Sequence, residues 1–386
     1  MVEEIIYGDS IGAKVAYGKQ ADETVTSIRV DADGQLIISN PQVIVASAPV
    51  HYERDVVWSA KPVAVAADRY ILLSPNAMTV NINGAGYVLG SQIELDLSLE
   101  ATWDQVVTDY RVAANRAGKD FYIYACIPSS GSTPDILISA NATYPTGYTA
   151  DNTRKVGGFH CECVDIGTIA GHSLTGYLAG DVIPLSVWDL KHRSVGMQAG
   201  MRYDDWAKIW VGIYMNSGTG VDTASVYGAV VTDTRNWMDF VDDLAVVGCR
   251  LPTDAEFQIF ARGSNKETNI VGSADPVTAG GYLDTAGRRM VSDGGDEGCC
   301  GQWYQWLQTP SARLDDGTAA GWYNLPGADG SFYTYGDNKY GNTVLLAGGN
   351  WAPGTHCGSR CRYANIVRRY TASAFAGRAV AESKET

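Results

Sequence analysis

Short apolar runs alternate with turn residues through the first half of the chain, at the two-residue period of strands with one buried face. Ser27–Ser39, SIRVDADGQLIIS, predicts a strand, an Asp-Ala-Asp-Gly turn and a second strand. The runs ILLS, MTVNING, QIELDLSL, FYIYACI and DILISA continue that style from about Val56 to Ile183, and WDQVVTDYRVAANRAGKD predicts a helix among them. From about Leu185 the pattern changes. NWMDFVDDLAVVG puts Trp237, Phe240, Val241 and Leu244 on one helical face, and Gly248 suits the left-handed residue after a helix. In CRLPTDAEFQIFARG, Thr253 and Glu256 have capping-box spacing, so a helix starts at Asp254, with Ala255, Phe257, Ile259 and Phe260 on its apolar side. After Gly263 the chain reads almost entirely as loop punctuated by tryptophans, and a loop that long in a compact domain is usually functional. The reading is a mainly β chain with an α+β C-terminal domain: an N-terminal β domain over 1–52, a β-sandwich-like domain over 53–184 and a third domain over 185–386.

Composition narrows the function. With 386 residues, 45% of them hydrophobic, the chain can build two or three cores, and 43 Gly with 22 Tyr and 10 Trp favours loop-rich β structure. A net charge of −14 argues against nucleic-acid binding and against docking on anionic membranes. No apolar run approaches the roughly 18–20 residues that span a bilayer, so membrane insertion is not expected. The start, MVEEIIYGDS, has neither the basic nor the apolar region of a signal peptide, which suits a protein made in the cytoplasm, such as a virion component. The eight cysteines (Cys126, Cys161, Cys163, Cys249, Cys299, Cys300, Cys357 and Cys361) are too sparse for a disulfide scaffold and read as reduced, buried thiols.

Three motifs follow one another in the last domain: CRLPTDAEF (Cys249–Phe257), GQWYQWL (Gly301–Leu307) and GGNW…GSR…GR (Gly348–Arg378). In that order they resemble the branch of the C-type lectin-fold superfamily shared by formylglycine-generating enzymes and the variable proteins of diversity-generating retroelements. The RLP-x3-EF helix start, the GGNW-x6-GSR-x17-R frame, YPTGYTADNTRKVGGFH (Tyr144–His160) and LSVWDLKHR (Leu185–Arg193) resemble the variable proteins most. The resemblance runs from about residue 56 to the end and implies a C-type lectin fold with a variable region over about 348–381. In that family a retroelement turns AAY codons into NNY codons on an exposed, ligand-binding face. Carried over on the GGNW frame, the variable positions fall on Ala352, Gly354, His356, Tyr363, Asn365, Ile366, Tyr370, Ala372, Ala374 and Phe375. All are types that NNY encodes, and Ala352–Ala381 lacks Lys, Glu, Gln, Met and Trp, which NNY cannot encode. The implied function is receptor binding for viral host attachment at a tail fibre. The partner would be a host-surface protein or another macromolecular ligand, and the chain would form a homo-oligomer such as a trimer. A cellular, surface-displayed variable binding protein is the close alternative.

The residue types fit such a scaffold. Gly348, Gly349 and Gly358 permit turns and close approach, and Trp303, Trp306 and Trp351 can pin loops. Ser359 belongs to the frame, and Arg360 and Arg378 offer donor forks for loop carbonyls, whereas Arg362, Arg368 and Arg369, if solvent-facing, make a basic patch that favours an anionic partner. The enzyme alternative is a formylglycine-generating cysteine oxidase. Its reactive pair would fall near Pro353 and Gly358, so Cys357 and Cys361 are displaced and no catalytic residue is assigned. His160-Cys161-x-Cys163 and His356-Cys357-x3-Cys361 lack structural-zinc spacing, and DGGDEG could offer Asp293, Asp296 and Glu297 to calcium but reads first as a solvated loop. No metal and no cofactor is expected.

Overall fold

The computed structural model describes strands within 16–38 and 56–72, and residues 78–89, 92–104, 108–131, 133–311, 321–324, 331–334, 343–352 and 354–384. The chain divides into two compact units, Met1–Val50 and His51–Thr386. In the first, β1 (Ala16–Lys19), β2 (Val25–Val30) and β3 (Leu36–Ile38) pair antiparallel in that order. The β2–β3 pair is the expected hairpin; its Asp-Ala-Asp-Gly turn lies outside the described residues.

The second unit begins with β4 (Val56–Val57), β5 (Val63–Ala66), β6 (Tyr70–Leu72), β7 (Met78–Ile82), β8 (Ala85–Leu89) and β9 (Glu94–Asp96), which form sheets β4-β7-β8 and β5-β6-β9. Next, β10 (Asp120–Cys126), β11 (Asp135–Ser139), β12 (Thr153–His160) and β13 (Trp188–Asp189) form an antiparallel sheet ordered β11-β10-β12-β13. Inward positions of these sheets share one core: Val80, Ile82 and Leu89 meet Phe121, Ile123, Ile138, Val156 and Phe159. Full burial of each such side chain contributes about 1.5–3 kcal/mol.

The helix predicted over 103–120 shrinks to α1 (Ala113–Arg116). In that stretch Trp103 and Tyr110 pack with Phe121 of β10, at ring separations of 5.0–5.5 Å. Arg116 is buried and donates to the carbonyls of Tyr110, Arg111 and Gly180, closing the turn where a helix would otherwise continue.

The remaining elements are β14 (Met201–Asp204), β15 (Ile209–Gly212), β16 (Asn216–Ser217), β17 (Ala224–Ser225), α2 (Trp237–Val246), α3 (Asp254–Phe260), β18 (Tyr304–Ser311), β19 (Gly321–Asn324), β20 (Ser331–Thr334), β21 (Thr343–Gly348), β22 (Gly358–Val367), β23 (Phe375–Ala376) and β24 (Val380–Glu382). Both predicted helices form. Asn236 and Asp239 make a capping box on α2, Thr253 and Glu256 make one on α3, and Gly248 is left-handed at φ +71°. A six-stranded sheet runs β19-β20-β22-β21-β18-β23, and β24 returns to pair with β15. Between α3 and β18 the backbone makes only turns and isolated bridges, as the loop reading expected, but from Tyr304 onward that reading is corrected: β18–β24 are strands, because their apolar residues pair across a six-stranded sheet and with β15.

Candidate binding surface

The segment that follows β21 is held from beneath by frame residues. Gly348 and Gly349 have φ of +89° and +81°, and a Cβ on Gly348 would lie 2.2 Å from the Cys299 carbonyl oxygen, so this turn requires glycine. Trp303 and Trp306 are fully buried, and Trp351 meets Trp303 edge-on at 6.5 Å. Arg378 is fully buried. Its Nη1 donates to the Gly212 and Ile213 carbonyls at 2.6 and 2.8 Å, its Nη2 to the Glu297 carbonyl, and its Nε to Gln305 Oε1 at 2.9 Å. One guanidinium thus ties β15, the Asp293–Gly298 loop and β18 together.

The second buried arginine is Arg362, not Arg360. Arg362 is 4% exposed, pairs with Asp254 at the start of α3 and donates to the Ser359 and Cys361 carbonyls, while Arg360 is exposed. Asp254 decides this, because it brings a carboxylate from the first turn of α3 to β22. Ser359 is half-buried and Gly358 is buried. Arg369 is exposed, and Arg368 lies 4.8 Å above the Trp237 ring. The basic character of the surface therefore rests on Arg360, Arg368 and Arg369.

The carried-over positions fall in two groups. Tyr363, Asn365 and Ile366 on β22, and Tyr370, Ala372, Ala374 and Phe375 beyond it, form the first. Its rings gather on Tyr304: Tyr363 at 5.3 Å and Phe375 at 6.1 Å, with Tyr370 5.9 Å from Phe375. Tyr370 is half exposed at 50%; Tyr363, Asn365, Ile366, Ala372 and Ala374 are half-buried. Phe375 departs from an exposed face: it is 6% exposed and packs on Trp306 at 5.3 Å as part of the core. Ala352, Gly354 and His356 form the second group, on the loop containing the turn Gly354–His356. Ala352 is exposed and the other two are half-buried. A Cβ on Gly354 would lie 2.7 Å from Asn269 Oδ1, so a larger residue there must displace Asn269.

Sequence reasoning missed the parts that carry the loop after β22. Trp237 opens α2, takes the Arg368 carbonyl on its backbone amide at 3.0 Å and donates its indole N–H to the Leu307 carbonyl at 2.9 Å. The signal was the capping box at Asn236, which fixes where that tryptophan stands.

Cys357 and Cys361 are fully buried; the Cys357 thiol donates to the Asn350 carbonyl at 3.4 Å, and burial, then the neighbouring Cys361, push it above the usual thiol range. Burial likewise pushes Cys299 up to about 12. A thiolate is therefore disfavoured at both sites. The DGGDEG carboxylates are turned inward, which corrects the solvated-loop reading. Asp296 pairs with buried Arg202, Glu297 pairs with Arg289, and Asp293 lies 3.6 Å from His172. Among the described residues, Glu162, Cys163 and Glu297 are the group with metal-ligand proximity, and Arg289 already places its cation there. Burial and then Glu297 push Glu162 up to about 8. His160 bridges Asp120 and Tyr214 at 3.0 Å each and does not join Cys161 and Cys163 in a ligand set. No helix among the described residues is long and apolar enough to cross a membrane.

Residues 76–189, the stretch containing the whole β10–β13 sheet, match the family model described as Mtd second domain. That stretch is similar to an Mtd second domain. The curated tail fiber receptor-binding protein of Bordetella phage BPP-1 is 28% identical over 212 residues, covering 49% of this chain and 52% of the relative, so the match spans about half of that protein. The Major Tropism Determinant U1 variant superposes with a TM-score of 0.64 at 21% identity, over 98% of this chain and 96% of that one. The P3c variant gives 0.63 at 21% identity, over 92% and 94%. The shared fold is mainly β and C-type lectin-like, as expected. These relatives are receptor-binding proteins and tropism determinants, not enzymes.

Proposed function

We propose that this Mtd-like chain is a receptor-binding protein of a phage tail fibre, and that it attaches to a host-surface macromolecule through the face around Tyr304, Tyr363 and Tyr370. The observation that carries this reading is that Tyr363 and Tyr370 reach solvent while packed on the buried rings of Tyr304 and Phe375, over a core tied by Arg378. Tyrosines held by packing offer large amphipathic area at low entropic cost, as in antibody paratopes. Tyr363, Asn365, Ile366, Tyr370, Ala372 and Ala374, with Ala352, Gly354 and His356, are the positions proposed to vary, and Phe375 is the one whose variation would reach the core. The chain would act in the virion as a homo-oligomer, a trimer for instance, whose several faces offset weak single-site affinity. No catalytic residue is assigned: burial, and then Cys361, push the Cys357 thiol above its ordinary range, which disfavours the thiolate a cysteine oxidase would need.

The test is binding of purified chain to its host cells. Replacing Tyr363 and Tyr370 together by Ala should lower cell binding at least about tenfold, the factor that 1.4 kcal/mol represents, with the melting temperature nearly unchanged. Unchanged binding by a folded double variant would move the site elsewhere. The DNA beside the gene tests diversification. A near-copy of the Gly348–Thr386 coding segment, differing where that copy has adenine and lying next to a reverse transcriptase gene, is the expected finding; a locus with neither leaves these loops fixed.

A further inference from the structure

The stretch Ala352–Ala381 holds no acid, on a chain of net charge −14. Two of its arginines, Arg362 and Arg378, spend their guanidinium groups on the frame. Arg368 and Arg369 do not. They take the two central positions of the turn that ends β22, which the Tyr370 amide closes by donating to the Val367 carbonyl at 3.0 Å. Turn centres favour Gly, Pro, Asn, Asp and Ser, each for a backbone reason, so nothing in the turn itself calls for two arginines. Among the described residues neither side chain makes an ion pair or a hydrogen bond, and the Arg368 Nε is buried without an acceptor.

Arg368 is positioned without being used up. Its guanidinium lies 4.8 Å over the Trp237 ring, and its carbonyl accepts from the Trp237 amide at 3.0 Å. Trp237 is itself fixed, through its indole N–H to the Leu307 carbonyl at 2.9 Å. A guanidinium over an aromatic face keeps its in-plane N–H edge for an acceptor, so this fork is pre-organised and still unsatisfied. The acids that flank Trp237 in sequence are engaged in their own turns: Asp239 accepts from the Asn236 amide in the capping box, and Asp233 from the Thr234 hydroxyl. Arg369, the next residue, is exposed. Adjacent like charges repel, and a bound anion relieves that repulsion while gaining charge-assisted hydrogen bonds. The neighbours narrow the occupant further. Trp237 and Ile366 are half-buried over the same core, and Tyr370 keeps 50% of its surface in water, so apolar surface adjoins the two cations. An acidic polypeptide brings carboxylates and apolar side chains together, whereas a phosphate-bearing glycan brings the charge without apolar side chains.

We propose that Arg368 and Arg369 form a fixed carboxylate-binding subsite at the edge of the Tyr304 face, and that its occupant is an acidic segment of a host-surface protein. The inference rests on the receptor-binding reading above and adds a constant to it. Neither arginine is among the positions proposed to vary, so the subsite stays while Tyr363, Asn365, Ile366 and Tyr370 change. The experiment measures binding of the full chain to its host cells between about 0.05 and 0.5 M NaCl, a range over which exposed charges pass from weakly to strongly screened. Arg368→Gln and Arg369→Gln should each weaken binding at low salt about tenfold and flatten its salt dependence, with the melting temperature held. Arg369 is exposed, so its variant still decides if Arg368→Gln fails to fold. Protease treatment of the cells, and separately amidation of their carboxylates with carbodiimide and ethanolamine, should each abolish binding. Parent-like binding by the folded arginine variants, when the Tyr363 and Tyr370 double variant has lost it, overturns the subsite and leaves the receptor-binding reading standing. Parent-like binding by both overturns the two together. Binding that survives either treatment of the cells overturns the acidic-protein occupant.

Discussion

Two kinds of position alternate within Gly348–Glu382. Arg362 and Arg378 are held by their side chains, which reach Asp254, Gln305 and carbonyls of other elements. The stretch 366–374 is held largely by its backbone. The carbonyls of Arg368, Ala372 and Ala374 accept from the amides of Trp237, Thr234 and Tyr304. A backbone hydrogen bond does not depend on the side chain attached to it, so Tyr370, Ala372 and Ala374 can change chemistry without removing what fixes their loop. A side-chain fork has no such freedom. The difference explains how one segment can carry a fixed frame and a replaceable surface side by side.

The largest effect is expected where that contrast is sharpest. Arg378→Met removes the guanidinium donor from the Gly212, Ile213 and Glu297 carbonyls and should cost about 3–5 kcal/mol, the range for breaking a buried charged network. Urea unfolding measures it, and a loss below about 1 kcal/mol would deny Arg378 its role as the tie. Next comes Phe375, carried over as a surface position yet 6% exposed. Phe375→Ala should cost about 3 kcal/mol, in line with other buried aromatic truncations. If it is neutral, the core closes without this ring and the face is wider than its burial indicates.

A pH measurement sharpens the comparison from outside the segment. Glu162 is raised from 4.5 to about 8 by burial beside Glu297, and Arg289 pairs with both carboxylates. Its folded form holds a proton that the unfolded chain releases near pH 4.5, so its contribution to stability is complete below that pH and is lost as pH rises through about 8. Unfolding free energy measured between pH 5 and 9 should fall with pH in the parent chain and fall less in Glu162→Gln. Parallel curves would mean that Glu162 titrates as an ordinary carboxylate.

Much of this was legible in the sequence, for stated reasons. Capping boxes are local, so Thr253–Glu256 fixed the start of α3, and Gly248 marked the end of α2. The frame motifs indicated Arg378 as a donor fork, and the alternating runs indicated sheets. What failed depends on partners distant in sequence. Arg360 and Arg362 are equivalent in composition, and only Asp254, 108 residues away, selects Arg362 for burial. The helix expected over 103–120 failed because Trp103 and Tyr110 join an aromatic cluster with Phe121. Phe375 has the residue type of a variable position, and its burial follows from Trp306 and Tyr304 on the neighbouring strand.

The smallest effect completes the comparison. Tyr370 touches Phe375 at 5.9 Å but keeps 50% of its surface in water, and its loop is fixed by the carbonyls of Arg368 and Ala372. Tyr370→Ala should therefore change unfolding free energy by less than about 0.5 kcal/mol, as surface substitutions do. The two aromatic truncations, five positions apart, would then differ by more than about 2 kcal/mol in one unfolding assay. A Tyr370 cost as large as that of Phe375 would mean that the rings around Tyr304 form a single packing unit. The replaceable surface would then be confined to Ala352, His356, Ala372 and their neighbours.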